Sequence, residues 1–185
     1  MLKKITMSAK NLTTTKGIVL SAMLLAVFAV LGTFKIPIPP AMFQNRLTLT
    51  FAATSAAGMI LGPVPAAIIG ALGDVLGYLM NQGGGVYFPG FTLSAALGGF
   101  IYGICLYGNN KKYMIWRIML AVFIITVFVN MILNTFWLSL MYNKAYVVFA
   151  VERIIKNAIA YPIHVAIIFA IFILTERTGI RKKYL

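Results

Sequence analysis

Charged residues are so rare along this chain that they punctuate long apolar runs. Residues 17–34, between Lys16 and Lys35, are uncharged and dominated by aliphatic side chains. A spanning helix needs roughly 20 such residues, so a first span is expected there. Lys35-Ile36-Pro37-Ile38-Pro39-Pro40 follows, and its prolines cannot continue a helix. From Arg46 to Lys111 the one intervening charge is Asp74, and the stretch is long enough for three spans. Gly62-Pro63-Val64-Pro65 and Asn81-Gln82-Gly83-Gly84-Gly85 break it, which places spans near 46–61, 64–81 and 90–108. Uncharged runs at 118–143 and 157–175 mark a fifth and a sixth span, near 114–142 and 150–175.

Composition agrees with that division. The chain has 185 residues, 61% hydrophobic and 10% charged, with a mean hydropathy of +0.93. Soluble domains have about 25% charged residues, so the expected fold class is an all-α membrane protein of six transmembrane helices. Residues 1–185 are expected to form a single integral membrane domain in which 1–16 is a basic cytoplasmic tail. A net charge of +13 would point to nucleic acid in a soluble protein; here it reads as topology, and no nucleic-acid partner is expected. Eleven of the sixteen basic residues flank the side holding both termini, and Lys35, Arg46, Lys144, Arg153 and Lys156 lie toward the other, so both termini are expected in the cytoplasm. No A-x-A-like site follows the first apolar run, so it reads as an uncleaved span rather than a signal peptide. One cysteine excludes a disulfide framework or a cysteine-based metal cluster.

Ionisable and amide side chains inside a bilayer are costly, about 2.5–3.5 kcal/mol for a charged residue at mid-span, and each needs a reason. Asp74 and Tyr78 share a face of the third span. Asn130, Asn134 and Trp137 recur at helical spacing in the fifth. Arg153, Asn157, Tyr161 and His164 form a stripe descending the sixth, with Glu152 and Lys156 beside its upper end. Singly, these could be a structural ion pair, interhelical amides, a satisfied histidine and interfacial aromatics. Together they concentrate in the outer half of three spans, as a pocket for an anionic ligand with a flat heteroaromatic ring would require. The segment 83–92, glycine-rich at its start and aromatic at its end, suits a gating loop above such a pocket or an interfacial anchor.

Ala22 and Ala26 make a small-xxx-small surface on the first span, fit for internal packing or for docking a partner helix. Gly58, Gly62, Gly70, Gly73 and Gly77 are expected to pack the second and third spans closely. No Walker A, His-Glu-x-x-His or Gly-x-Ser-x-Gly motif is present, and with three carboxylates in total no catalytic residue or metal site is expected. An intramembrane enzyme using His164 with Asp74 would need a nucleophile or metal ligands that are not evident.

Four segments carry a more specific likeness: Gly73-Asp74-Val75-Leu76-Gly77-Tyr78, Tyr87-Phe88-Pro89-Gly90-Phe91-Thr92-Leu93-Ser94-Ala95, Asn134-Thr135-Phe136-Trp137-Leu138, and Arg153-Ile154-Ile155-Lys156-Asn157 with Pro162-Ile163. In order and content they resemble the folate-specific substrate-binding (S) component of energy-coupling factor (ECF) vitamin transporters, from about Gly17 to the last helix. The first piece alone is shared with S components for other vitamins, such as pantothenate or thiamin. The resemblance implies a six-helix, multi-pass subunit of the bacterial plasma membrane that binds folate with high affinity from outside and binds no cofactor. It also implies a transmembrane coupling protein and two ATPase subunits, where ATP is used, with Ala22 and Ala26 as the docking motif, and toppling to release the vitamin. On that likeness Arg46, Arg153 and Lys156 would meet the glutamate carboxylates of folate. Asp74 with Asn134 or Asn157 would bond the pterin edge, and Tyr78, Phe88, Phe91 and Trp137 would contact the rings. Thr92, Tyr161 and His164 complete the candidate site.

Overall fold

The structure, a computed structural model, describes residues 2–37, 46–80, 87–108, 111–142 and 146–179. The expected flexible stretch Gly83-Gly84-Gly85 lies outside them. Ten elements follow in order: α1 (Leu2–Asn11), α2 (Thr15–Thr33), β1 (Lys35–Pro37), β2 (Arg46–Thr48), α3 (Thr50–Ile60), α4 (Pro63–Met80), α5 (Pro89–Leu106), α6 (Met114–Ile124), α7 (Asn134–Tyr142) and α8 (Tyr146–Arg177). A 3-10 turn at Lys111–Tyr113 leads into α6, and a π-helical stretch, Ile125–Leu133, joins α6 to α7.

Five segments are long and apolar enough to cross a membrane: Thr15–Thr33, Pro63–Met80, Pro89–Leu106, Lys111–Tyr142 and Arg153–Arg177. Large apolar side chains cover their outer faces, including Met23, Val30, Leu79, Leu93, Trp116, Phe123 and Leu174. A surface so rich in exposed apolar groups is compatible with lipid and not with water. The chain is a multi-pass membrane protein.

The segment near 46–61 differs from a full span. Residues 46–48 form a strand, and α3 has 11 residues, about 16 Å of helix, roughly half the hydrocarbon thickness. Strand β2 pairs antiparallel with β1, Pro37 opposite Arg46 and Lys35 opposite Thr48, so this extended backbone satisfies its polar groups without a helix. The residues expected as a basic tail also have structure, since α1 is helical and docks on the α3–α4 turn. Ser8 is fully buried; its Oγ donates to the Leu61 carbonyl and accepts from the Val64 N–H, both at 3.1 Å. Gly62, at φ +97°, makes that turn, and a side chain there would collide with Ser8. The start of α2 is capped by Thr14, whose Oγ1 accepts from Gly17 N–H at 3.2 Å.

The core lies where α3, α4, α5, α6 and α8 meet, with Met59, Ile69, Leu106, Met114, Ile118 and Ile168 buried. The glycines expected to join the second and third spans mostly serve other neighbours. A Cβ on Gly70 would strike the Ala95 carbonyl of α5, one on Gly58 the backbone of α5 at Gly103, and one on Gly73 the Phe28 ring of α2. Helices α4 and α5 therefore touch backbone to backbone, which no larger residue would permit. Helix α8 runs unbroken through Pro162, a residue that spanning helices tolerate when neighbours compensate for the missing N–H.

Candidate functional site

A cavity of about 290 Å³ opens between α3, α4, α5, the π-helical stretch and α8, in the half of the molecule remote from α1. Its size is near the lower end of small-molecule sites. Asp74, Phe91, Asn134, Arg153, Lys156, Asn157 and His164, expected from the sequence, all line it. The span between Arg153 and His164 on α8 is eleven residues, so polar groups extend over about 16 Å of cavity wall.

The local folding of each element explains these positions. In the π-helical stretch the Asn134 N–H donates to the Val129 carbonyl, five residues back, instead of to Asn130. The Asn130 carbonyl accepts from side chains instead, from Arg153 Nη1 at 2.8 Å and from Thr135 Oγ1 at 3.4 Å. The Asn134 amide Nδ2 donates to Asn130 Oδ1 at 3.2 Å. The His164 ring lies against Phe51, centroids 3.9 Å apart. Lys156 adds a second cation on the same helix, so Arg153 and Lys156 face the cavity with Asp74 as the carboxylate among its lining residues.

Four lining residues have a buried polar atom without a hydrogen-bond partner among the described residues: Asn134 Oδ1, Arg153 Nε, Asn157 Nδ2 and His164 Nε2. Each such atom costs about 1–3 kcal/mol unless something pairs with it. All four residues line one cavity, which marks a polar site with amides, cations and aromatic walls together.

Other expected site residues stand outside the lining. Thr92 donates from Oγ1 to Asp74 Oδ2 at 2.7 Å. Trp137 donates from Nε1 to Ser94 Oγ at 3.1 Å and packs on Phe88, which also meets Phe91. Tyr78 is exposed, its ring 5.2 Å from that of Tyr87. Tyr161 turns to the Met119 carbonyl of α6 at 3.3 Å. Arg46 is on β2, and its side chain lies outside the described residues. Ala22 and Ala26 are exposed on α2 and are not among the lining residues, while Ser21 beside them keeps its Oγ buried.

Thr48, Thr50, Phe51, Thr54, Phe28, Ser94, Tyr102 and Asn130 also line the cavity. The threonines and phenylalanines gave no sequence signal, because such residues are ordinary in apolar helices. Ser94 could have been found as the residue two after Thr92 in the aromatic segment, whereas Asn130 belongs to the polar stripe expected on the fifth span.

The chain is similar to known proteins in sequence and fold. Residues 16–175 match the family described as ECF transporter, substrate-specific component. A curated relative from Clostridium novyi (strain NT), the folate transporter FolT, is 45% identical over 138 residues, 75% of this chain and 78% of its own. A second folate transporter FolT, from Leuconostoc mesenteroides subsp. mesenteroides, is 33% identical over 161 residues, 83% of this chain and 82% of its own. The crystal structure of a FolT bound with folic acid superimposes with a TM-score of 0.75 at 38% identity, covering 89% of this chain and 95% of that one. The chain belongs to the family of substrate-specific components of ECF transporters.

Proposed function

We propose that this chain is the folate-specific S component of an ECF transporter and binds folate in the cavity between α3, α4, α5 and α8. The observation that carries the reading is the polar lining of one cavity: Asn134, Arg153, Asn157 and His164, each with a buried polar atom unpaired among the described residues, join Asp74 and Lys156 there. Folate offers two carboxylates, a pterin edge with adjacent donors and acceptors, and flat rings. Arg153 and Lys156 supply cations for the carboxylates, Asp74 and the amides of Asn134 and Asn157 supply partners for the pterin, and Phe51 and Phe91 supply ring faces. A lining with two cations and one carboxylate suits an anion and disfavours a cationic vitamin such as thiamin. Both curated relatives are folate transporters, which supports the same ligand.

In this reading the termini face the cytoplasm and folate enters from outside. A transmembrane coupling protein docks on α2 at Ala22 and Ala26, and two ATPase subunits supply the energy; this chain performs no chemistry. Equilibrium dialysis of the detergent-purified protein with labelled folic acid tests the ligand. Saturable binding displaced by unlabelled folic acid, and unaffected by excess pantothenate or thiamin, is expected; displacement by either of those would assign a different vitamin.

A further inference from the structure

A hydrogen-bonded chain leads from the surface of the protein to the cavity. Asp74 Oδ2 accepts from Thr92 Oγ1 at 2.7 Å, and Thr92 Oγ1 lies 2.8 Å from Tyr87 Oη. A threonine hydroxyl has one proton, and here Asp74 takes it, so Tyr87 must be the donor in the second bond. The order is Tyr87 O–H to Thr92 O–H to the Asp74 carboxylate, polarised throughout toward the charged end. Tyr87 is held in turn by Tyr78, one turn beyond Asp74 on α4, whose ring packs 5.2 Å from it. Of these four residues, Asp74 alone lines the cavity.

We propose that Thr92 and Tyr87 are positioning residues for ligand binding, acting through Asp74: the polarised chain fixes the carboxylate and leaves its second oxygen to accept from the ligand. This rests on the folate reading. A carboxylate accepts and cannot donate, so it meets N–H groups. In folate an adjacent set of these lies on the pterin, and the glutamate carboxylates would be repelled. The relay therefore serves the pterin end, whereas Arg153 and Lys156 serve the other. Thr92 and Tyr87 thus belong to the site although neither lines the cavity.

Dissociation constants of folic acid and of pteroic acid, which lacks the glutamate, separate this role from simple tying of α4 to α5. Thr92→Val keeps the shape and removes the hydroxyl; it should weaken both ligands by the same factor, about tenfold, as for loss of a charge-assisted hydrogen bond. Thr92→Ser restores the hydroxyl and should bind within about threefold of the original. Tyr87→Phe, which keeps the ring against Tyr78, should weaken both ligands by a smaller common factor. In a cycle with Asp74→Asn, Thr92→Val should add less than its effect alone. Loss of folic acid binding with pteroic acid unaffected, equal weakening by Thr92→Ser and Thr92→Val, or unchanged binding in Thr92→Val would overturn the relay. If the unsubstituted protein binds neither compound, the folate reading itself fails.

Discussion

Arg153 Nη1 donates at 2.8 Å to the main-chain carbonyl of Asn130, which the Asn134 N–H bypasses for Val129 and which Thr135 Oγ1 also reaches at 3.4 Å. The bond fixes the guanidinium in the cavity wall while its Nε stays unpaired. Tyr146, two turns earlier on α8, reaches the next carbonyl, that of Met131, at 3.0 Å. Helix α8 is thus bound to the π-helical stretch by side chains reaching carbonyls.

If Arg153 reads the carboxylates of folate, Arg153→Lys should weaken folic acid about tenfold or more, because an ammonium lacks the planar fork that holds the carbonyl while presenting parallel donors to a carboxylate. Pteroic acid should lose several-fold less. Isothermal titration with both ligands checks the difference.

His164 carries a buried Nε2 without a partner beside Phe51. His164→Leu removes that unpaired atom at similar size. The ligand-free protein should be as stable as the original or up to about 1 kcal/mol more stable, while folic acid affinity falls. Differential scanning fluorimetry with and without folic acid measures both, and the melting shift caused by folic acid should shrink.

At the opposite end, Ser8→Ala leaves the Val64 N–H and one bond to the Leu61 carbonyl unmade, which should cost about 1–2 kcal/mol of stability. Folic acid affinity should not change, since α1 is remote from the cavity. A lower melting temperature with an unaltered dissociation constant is the expected pair of results.

Docking on α2 predicts that Ala26→Trp, on an exposed face, leaves folic acid binding intact and abolishes uptake in cells that supply the coupling protein and ATPases. Uptake at the original rate would remove α2 as the docking face.

Much of the fold and the site was legible in the sequence, and the remainder was hidden for physical reasons. The rarity of charge and the breaks at Pro37, Gly62-Pro63 and Asn81 to Gly85 pointed to the spanning helices α2, α4 and α5, and clustering by depth brought Asp74, Asn134, Arg153, Asn157 and His164 together. Strand β2 and the shortness of α3 were hidden, because Arg46-Leu47-Thr48 joins an apolar run without a break. The nine π-helical residues, ITVFVNMIL, look like any apolar helix, yet they shift the helical phase of α7. Trp137, placed by ideal helical spacing on the face of Asn130, turns instead to Ser94. Tyr161 illustrates the looseness of a long stripe: eight residues from Arg153, it has drifted far enough to reach α6 rather than the cavity.

The most direct test of folate binding in this cavity uses the two tryptophans. Trp137 sits directly behind the lining residue Ser94, whereas Trp116 is exposed near the start of α6, about 30 Å of helix away. Folic acid should quench the fluorescence of a Trp116→Phe variant saturably at micromolar concentration and leave that of a Trp137→Phe variant nearly unchanged. Absence of saturable quenching in the Trp116→Phe variant, or equal quenching in both, would contradict folate binding at this site.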